Sequence, residues 1–180
     1  TEGAPARCVT NRQGRAAADA HRGTHAARSH SSRSAQTMTT FALDTSCMIA
    51  AVCTWHERHA DAVSGIERRL GRGEAPAIAA HALLETYAVL TRLPAPHRLA
   101  PADAWVLVET NFIRPATVVA LDAPSYTSLL GRLAKMGIGG GRSYDALIAD
   151  CAAEAKVDAL LTLNPRHFDP PPHGVAVVEP

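Results

Sequence analysis

At 180 residues, 47% hydrophobic and 19% charged, the chain has the length for one domain with a real core and the composition of an ordinary globular protein. No apolar run approaches the ~20 residues that cross a bilayer, which excludes a helical membrane span and sets the expectation of a soluble, cytoplasmic protein. The net charge of +1 conceals an uneven distribution: residues 1–37 carry six Arg against two acids, whereas residues 38–180 carry 12 basic and 15 acidic groups.

Residues 1–37 show neither helical nor alternating periodicity, and Val9 is their only large aliphatic residue. Such a segment buries too little to offset its ordering entropy, so a disordered basic extension is expected. It lacks the apolar core of a secretory signal. Its Arg-rich, acid-poor composition superficially matches an organellar transit peptide. An upstream, non-native start is the preferred reading, because Met38 directly precedes the first expected strand.

From Met38 onward, short apolar runs alternate with helix-length patterns. Phe41–Asp44 reads as a strand, followed by a helix to about Val52 and an amphipathic helix from about His56 to Leu70. A strand at Pro76–Ala80 feeds a helix over His81–Leu93, which Pro94 and Pro96 end. Another helix is expected at Ala102–Asn111 and a β-branched strand at Thr117–Leu121. Asp122 and Pro124 match the N-cap and N2 positions of a helix reaching about Met136. A helix over Ser143–Lys156 follows, then strands at Ala159–Leu163 and residues 174–178. This βα alternation predicts a single α/β domain over 38–180, with a central parallel sheet of about five strands flanked by helices.

The four cysteines, Cys8, Cys47, Cys53 and Cys151, form no C-x-x-C pair, and three lie in apolar segments. Small buried thiols are expected, not a disulfide framework or zinc site.

In open parallel sheets, sites form beyond the carboxyl ends of the strands. Asp44 stands at such an end, where it serves equally well as an N-cap for the helix opening at Thr45. Glu85 lies on a helix whose neighbours Ala82, Ala88 and Val89 offer no cation, and whose other face is apolar through Leu83, Tyr87 and Leu90. The helix is expected to be buried nearly all round, so Glu85 needs a partner. Asp145 opens a helix, where an acid gains roughly 0.3–1 kcal/mol from the dipole, yet Ile148 and Ala149 put it on an apolar face. Asp150, with Glu154 at i+4, belongs in solvent. Three carboxylates at ~5 Å and an effective dielectric of ~20 would repel pairwise by about 3 kcal/mol. A hard divalent cation such as Mg²⁺, which takes oxygen ligands, neutralises that arrangement.

Four segments, "FALDTSCMIA", "AHALLETYAVLTRL", "SYDALIADCA" and "LLTLNPRHF", resemble in order and spacing the motifs of PIN-domain nucleases, and most closely the VapC-type toxins of VapBC toxin–antitoxin modules. The resemblance runs from about Met38 to Val178. It implies a PIN-like fold and a Mg²⁺-dependent endoribonuclease (Mn²⁺ a plausible substitute) that hydrolyses RNA phosphodiesters with metal-activated water. It also implies a homodimer restrained by a VapB-like antitoxin. Asp44, Glu85 and Asp145 match the first three family acids, as catalytic residues and metal ligands. Where the family commonly carries a fourth acid, this chain has Asn164, an amide that supplies a carbonyl oxygen at most; Thr162 is the alternative for orienting a ligand. Two other functions are carried forward: a catalytically degenerate PIN binding module, and a metal-dependent phosphatase.

Other signals weigh less. "GIGGGR", residues 137–142, lacks the Lys-Ser/Thr of a P-loop and follows a helix, so a turn is expected, with Arg142 a candidate phosphate contact. "LDTS" resembles the nucleophile loop of haloacid-dehalogenase-like phosphatases, but Ser46 stands where their second Asp is needed. His56 and His59 do not have H-E-x-x-H spacing, and His167 and His173 have no evident partners. Arg68, Arg69 and Arg72 offer a local positive surface on a mildly acidic domain.

Overall fold

A computed structural model describes residues 39–180; the expectations for residues 1–37 lie outside the described residues. Strand β1 (Thr40–Leu43) leads into α1 (Thr45–Val52) and α2 (His59–Gly71). Strand β2 (Ala75–Ala79) feeds α3 (Ala80–Arg92), then α4 (Pro101–Val108), a π-helical turn at Glu109–Ile113, and β3 (Thr117–Val119). Helices α5 (Ala123–Met136) and α6 (Arg142–Glu154) precede β4 (Ala159–Leu161), a 3-10 turn at Pro165–Phe168 and β5 (Ala176–Val178).

The sheet is wholly parallel in the order β3-β2-β1-β4-β5. From β1 the chain builds outward through β2 and β3, then returns to β1's other edge with β4 and β5. The strand order therefore reverses between β1 and β4, which is where an open parallel sheet leaves a crevice beyond its strand ends. Phe41, Ala42, Leu43 and Ala159, Leu160, Leu161 are all buried, as strands covered on both faces must be. Leu43 pairs with Leu161, so Asp44 and Thr162 leave the sheet side by side.

Several boundaries move for identifiable reasons. β4 stops short of Leu163 because, after Thr162 N–H bonds the Val178 carbonyl (3.0 Å), the following donors go to side chains: Leu163 N–H to Ser46 Oγ (3.1 Å) and Asn164 N–H to Thr162 Oγ1 (2.9 Å). α2 starts three residues late, since His56 Nδ1 takes the Arg58 N–H (3.1 Å) and holds a turn there. The helix expected at Ala102–Asn111 is α4 continued by the π-helical turn, which buries Phe112. Asp122 caps α5 as expected, accepting from Ser125 N–H at 2.8 Å, and Gly137 ends that helix in the left-handed region at φ 67°.

Cys47, Cys53 and Cys151 are unpaired and buried. Burial pushes the Cys47 thiol up to about 12 and Cys151 to about 11, so neither is a ready nucleophile. Gly65 in α2 is required by close approach: a Cβ there would sit 2.6 Å from Pro180 Cβ. Among the described residues, no helix is long and apolar enough to cross a membrane.

Candidate active site

Asp44 is 4% exposed and caps α1. Its Oδ2 accepts from Ser46 Oγ (2.6 Å), Thr162 Oγ1 (2.9 Å) and, more weakly, Ser46 N–H (3.4 Å). The two hydroxyls in turn accept the Leu163 and Asn164 N–H groups, so each relays a backbone donor to the carboxylate. Polarisation runs one way along each chain, from amide through hydroxyl to anion. Oδ1 has no donor among the described residues and is the oxygen left for other chemistry. The N-cap expectation for Asp44 is met through one oxygen, and the other oxygen is left unengaged among the described residues.

Glu85 lies on α3, which is not buried all round as expected. Leu84 is 63% exposed and Ala88 also faces solvent, and Glu85 itself is half-buried. Its Oε2 accepts from Thr45 Oγ1 at 2.7 Å, which ties it to the residue following Asp44. Asp145 lies in the first turn of α6 with 18% of its side chain exposed. Its Oδ2 is 3.2 Å from His167 Nδ1 and 3.7 Å from Arg142 Nε, and Arg142 also donates to the His167 carbonyl at 3.0 Å. Asp150 stays outside, paired with Arg132. Asn164 is exposed at the head of the 3-10 turn.

Burial pushes the Asp145 carboxyl above its ordinary value against the pull of His167; the charge of Asp44 adds to the rise, Arg142 opposes it, and Glu85 adds again. The sheet has therefore brought three acids, far apart in sequence, to one edge where their charges are felt. It has not clenched them: among the described residues no three His, Cys, Asp or Glu side chains are gathered closely enough to hold a metal ion as they stand. The donor set is nonetheless that of a hard cation, with carboxylate oxygens backed by hydroxyls and an unengaged Oδ1 on Asp44. Asp44, Glu85 and Asp145 are the residues that fit such an ion.

The raised Asp145 value has a consequence for stability. The folded chain holds this proton to higher pH than the unfolded chain does, so stability falls as pH climbs from the ordinary carboxylate value through the raised one, and stays lower above it. In chelator, Asp145→Asn is expected to be more stable than the unaltered protein at pH 7, with the advantage vanishing below about pH 4. Urea unfolding at the two pH values checks this; an advantage that grows on acidification would contradict it.

Four residues around the acids carried weak sequence signals or none. Ser46 and Thr45 look like ordinary first-turn hydroxyls, and only their partners reveal a role. His167 stands 22 residues beyond Asp145, a pairing invisible without the turn at Pro165–Phe168. His81, one turn before Glu85, lays its ring against Tyr144 with centroids 4.5 Å apart, and its Nε2 is buried without a hydrogen-bond partner. The arginine cluster is partly committed: Arg69 pairs with Glu74 at 2.6 Å, while Arg68 and Arg72 line a groove beside Gly65 and Pro180.

Fold and site together define an α/β protein with an acidic centre at the switch point of a parallel sheet. Residues 41–170 match the PIN domain family model. Ribonuclease VapC40 of Mycobacterium tuberculosis is 45% identical over 112 residues, covering 62% of this chain and 78% of that protein. Ribonuclease VapC27 of the same species is 42% identical over 128 residues, covering 71% and 87%. Among solved structures, M. tuberculosis VapC20, described as a sarcin-ricin loop cleaving toxin, superposes with a TM-score of 0.58 at 16% identity, covering 78% of this chain and 99% of that one. VapBC2 from Rickettsia felis, solved with a promoter DNA fragment, gives 0.56 at 18% identity, covering 78% and 98%. At those identities the solved structures speak for the fold. The chain belongs to the PIN-domain family and is a VapC-type PIN nuclease.

Proposed function

We propose that this nuclease is the toxin of a type II toxin–antitoxin pair, an endoribonuclease that hydrolyses RNA phosphodiesters with a divalent cation, Mg²⁺ or in its place Mn²⁺, held by Asp44, Glu85 and Asp145. The observation that carries the reading is the placement of three acids at one sheet edge: Asp44 at the exit of β1, Glu85 tied through Thr45 to the residue after it, and Asp145 opening α6. A divalent cation supplies Lewis-acid stabilisation of charge on the phosphate and lowers the pKa of water. The chain's own part is placement. Ser46 and Thr162 hold Asp44 by one oxygen, leaving the other to ligate. Thr45 holds Glu85, which would ligate the cation or position the attacking water. The curated relatives named above are ribonucleases, and the solved neighbours include VapBC complexes, which supports RNA as substrate and a VapB-like antitoxin as partner. A homodimer and a cytoplasmic location complete the proposal.

The test is cleavage of single-stranded RNA with Mg²⁺, with excess EDTA, and after Mg²⁺ is restored. Cleavage that stops in EDTA and returns with Mg²⁺ is expected; cleavage indifferent to EDTA overturns the metal assignment. One second reading has a specific observation behind it: Asn164 in place of a fourth acid, together with carboxylates that do not yet converge, suits a PIN module acting by binding alone. Absence of RNA cleavage under every metal condition, with antitoxin binding retained, would favour it.

A further inference from the structure

Two aromatic rings meet where α3 and α6, the helices that carry Glu85 and Asp145, approach each other. Tyr144 immediately precedes Asp145 on α6, and His81 stands one turn before Glu85 on α3. The ring centroids lie 4.5 Å apart, with the planes tilted by 30°. Tyr144 is 46% exposed, so one ring faces out while the other supports it. The buried Nε2 of His81 has no hydrogen-bond partner among the described residues, and the ring packs against Tyr144. Trp55, Trp105 and Tyr126 are also exposed, but none lies within a helical turn of Asp44, Glu85 or Asp145 in sequence.

Charge makes such a ring useful. RNA affinity usually comes from phosphate neutralisation, yet residues 38–180 carry 12 basic groups against 15 acidic ones. Arg58, Arg69, Arg114 and Arg132 already face carboxylates. Beside three carboxylates, a bound strand also needs a contact that charge does not govern, and stacking on an aromatic face is the one single-stranded RNA offers at every nucleotide. We propose that Tyr144, seated on His81, is a platform on which a nucleobase next to the cut phosphodiester stacks, setting the position of the strand against the acids. The inference rests on the ribonuclease reading above and adds a substrate contact to it.

The test uses a short single-stranded RNA that the unaltered protein cuts, and versions in which each base flanking the cut is replaced by an abasic residue. Tyr144→Leu is expected to lower kcat/KM about 10-fold, and Tyr144→Phe and Tyr144→Trp, which restore an aromatic face, to lose less than leucine does. One abasic position should lower the unaltered protein's kcat/KM by about the same factor and leave Tyr144→Leu almost unaffected, because the two changes remove one contact. Leucine cleaving like tyrosine, or an abasic penalty equal in both proteins, overturns the platform while the ribonuclease reading stands. An unaltered protein that cuts no RNA overturns both.

Discussion

Asp44→Asn is expected to reduce RNA cleavage by roughly 10²-fold or more, the loss of about 3 kcal/mol of transition-state stabilisation, while the melting temperature stays equal or rises. The amide has the shape of the carboxylate, and its oxygen can accept the Ser46 and Thr162 hydroxyls that now bond Oδ2 at 2.6 and 2.9 Å. The cap and both relays survive. What disappears is one negative charge from an edge where burial and the charges of Asp44 and Glu85 hold the Asp145 carboxyl above its ordinary value. Removing repulsion favours the fold, and removing a hard anionic ligand disfavours the reaction. Opposite signs for stability and activity would separate a functional carboxylate from a structural cap, for which an equally good capping amide would leave cleavage unchanged. Kinetics and thermal melts on one preparation read both; cleavage at the unaltered rate would remove Asp44 from the chemistry.

Phe41→Ala should lower unfolding free energy by about 3–5 kcal/mol, a large part of the 5–15 kcal/mol typical of a domain. Phe41 is fully buried in the central strand, paired in register with Pro76 on one side and Ala159 on the other. Neither neighbour is large or supple enough to fill the space, so the cavity persists. The Arg69 guanidinium, 5.7 Å from the ring centroid and also paired with Glu74, would lose its cation–π face as well. Leu84→Ala, on the exposed side of α3, is the comparison and should stay within about 0.5 kcal/mol. Urea midpoints for the two variants decide; comparable small shifts would mean that β1 is not the centre of the core.

Much of this architecture follows from local rules. The βα alternation is legible because buried parallel strands need short apolar runs and their crossovers need helical periodicity. The Asp122-x-Pro124 start of α5 is legible because capping chemistry lies within four residues. Asp44 and Asp145 are legible as acids placed at a strand exit and a helix start. Glu85 is legible only in part. Its lack of a cationic neighbour is a sequence fact, but the expectation of all-round burial fails at Leu84 and Ala88, since periodicity does not say which apolar face the fold will cover.

The chain's own order of residues thus determines the elements, the core strands and the three acids, because each depends on neighbours within a turn or a strand. Only the tertiary structure decides what holds those acids. Thr162 reaches Asp44 across 118 positions, Thr45 reaches Glu85 across 40, and His167 meets Asp145 through a turn that periodicity does not announce. Hydrogen bonds and stacked rings act over a few ångströms in space whatever their distance along the chain. Their partners are therefore set by the β3-β2-β1-β4-β5 order, which brings the exits of β1 and β4 together and lays α3 against α6.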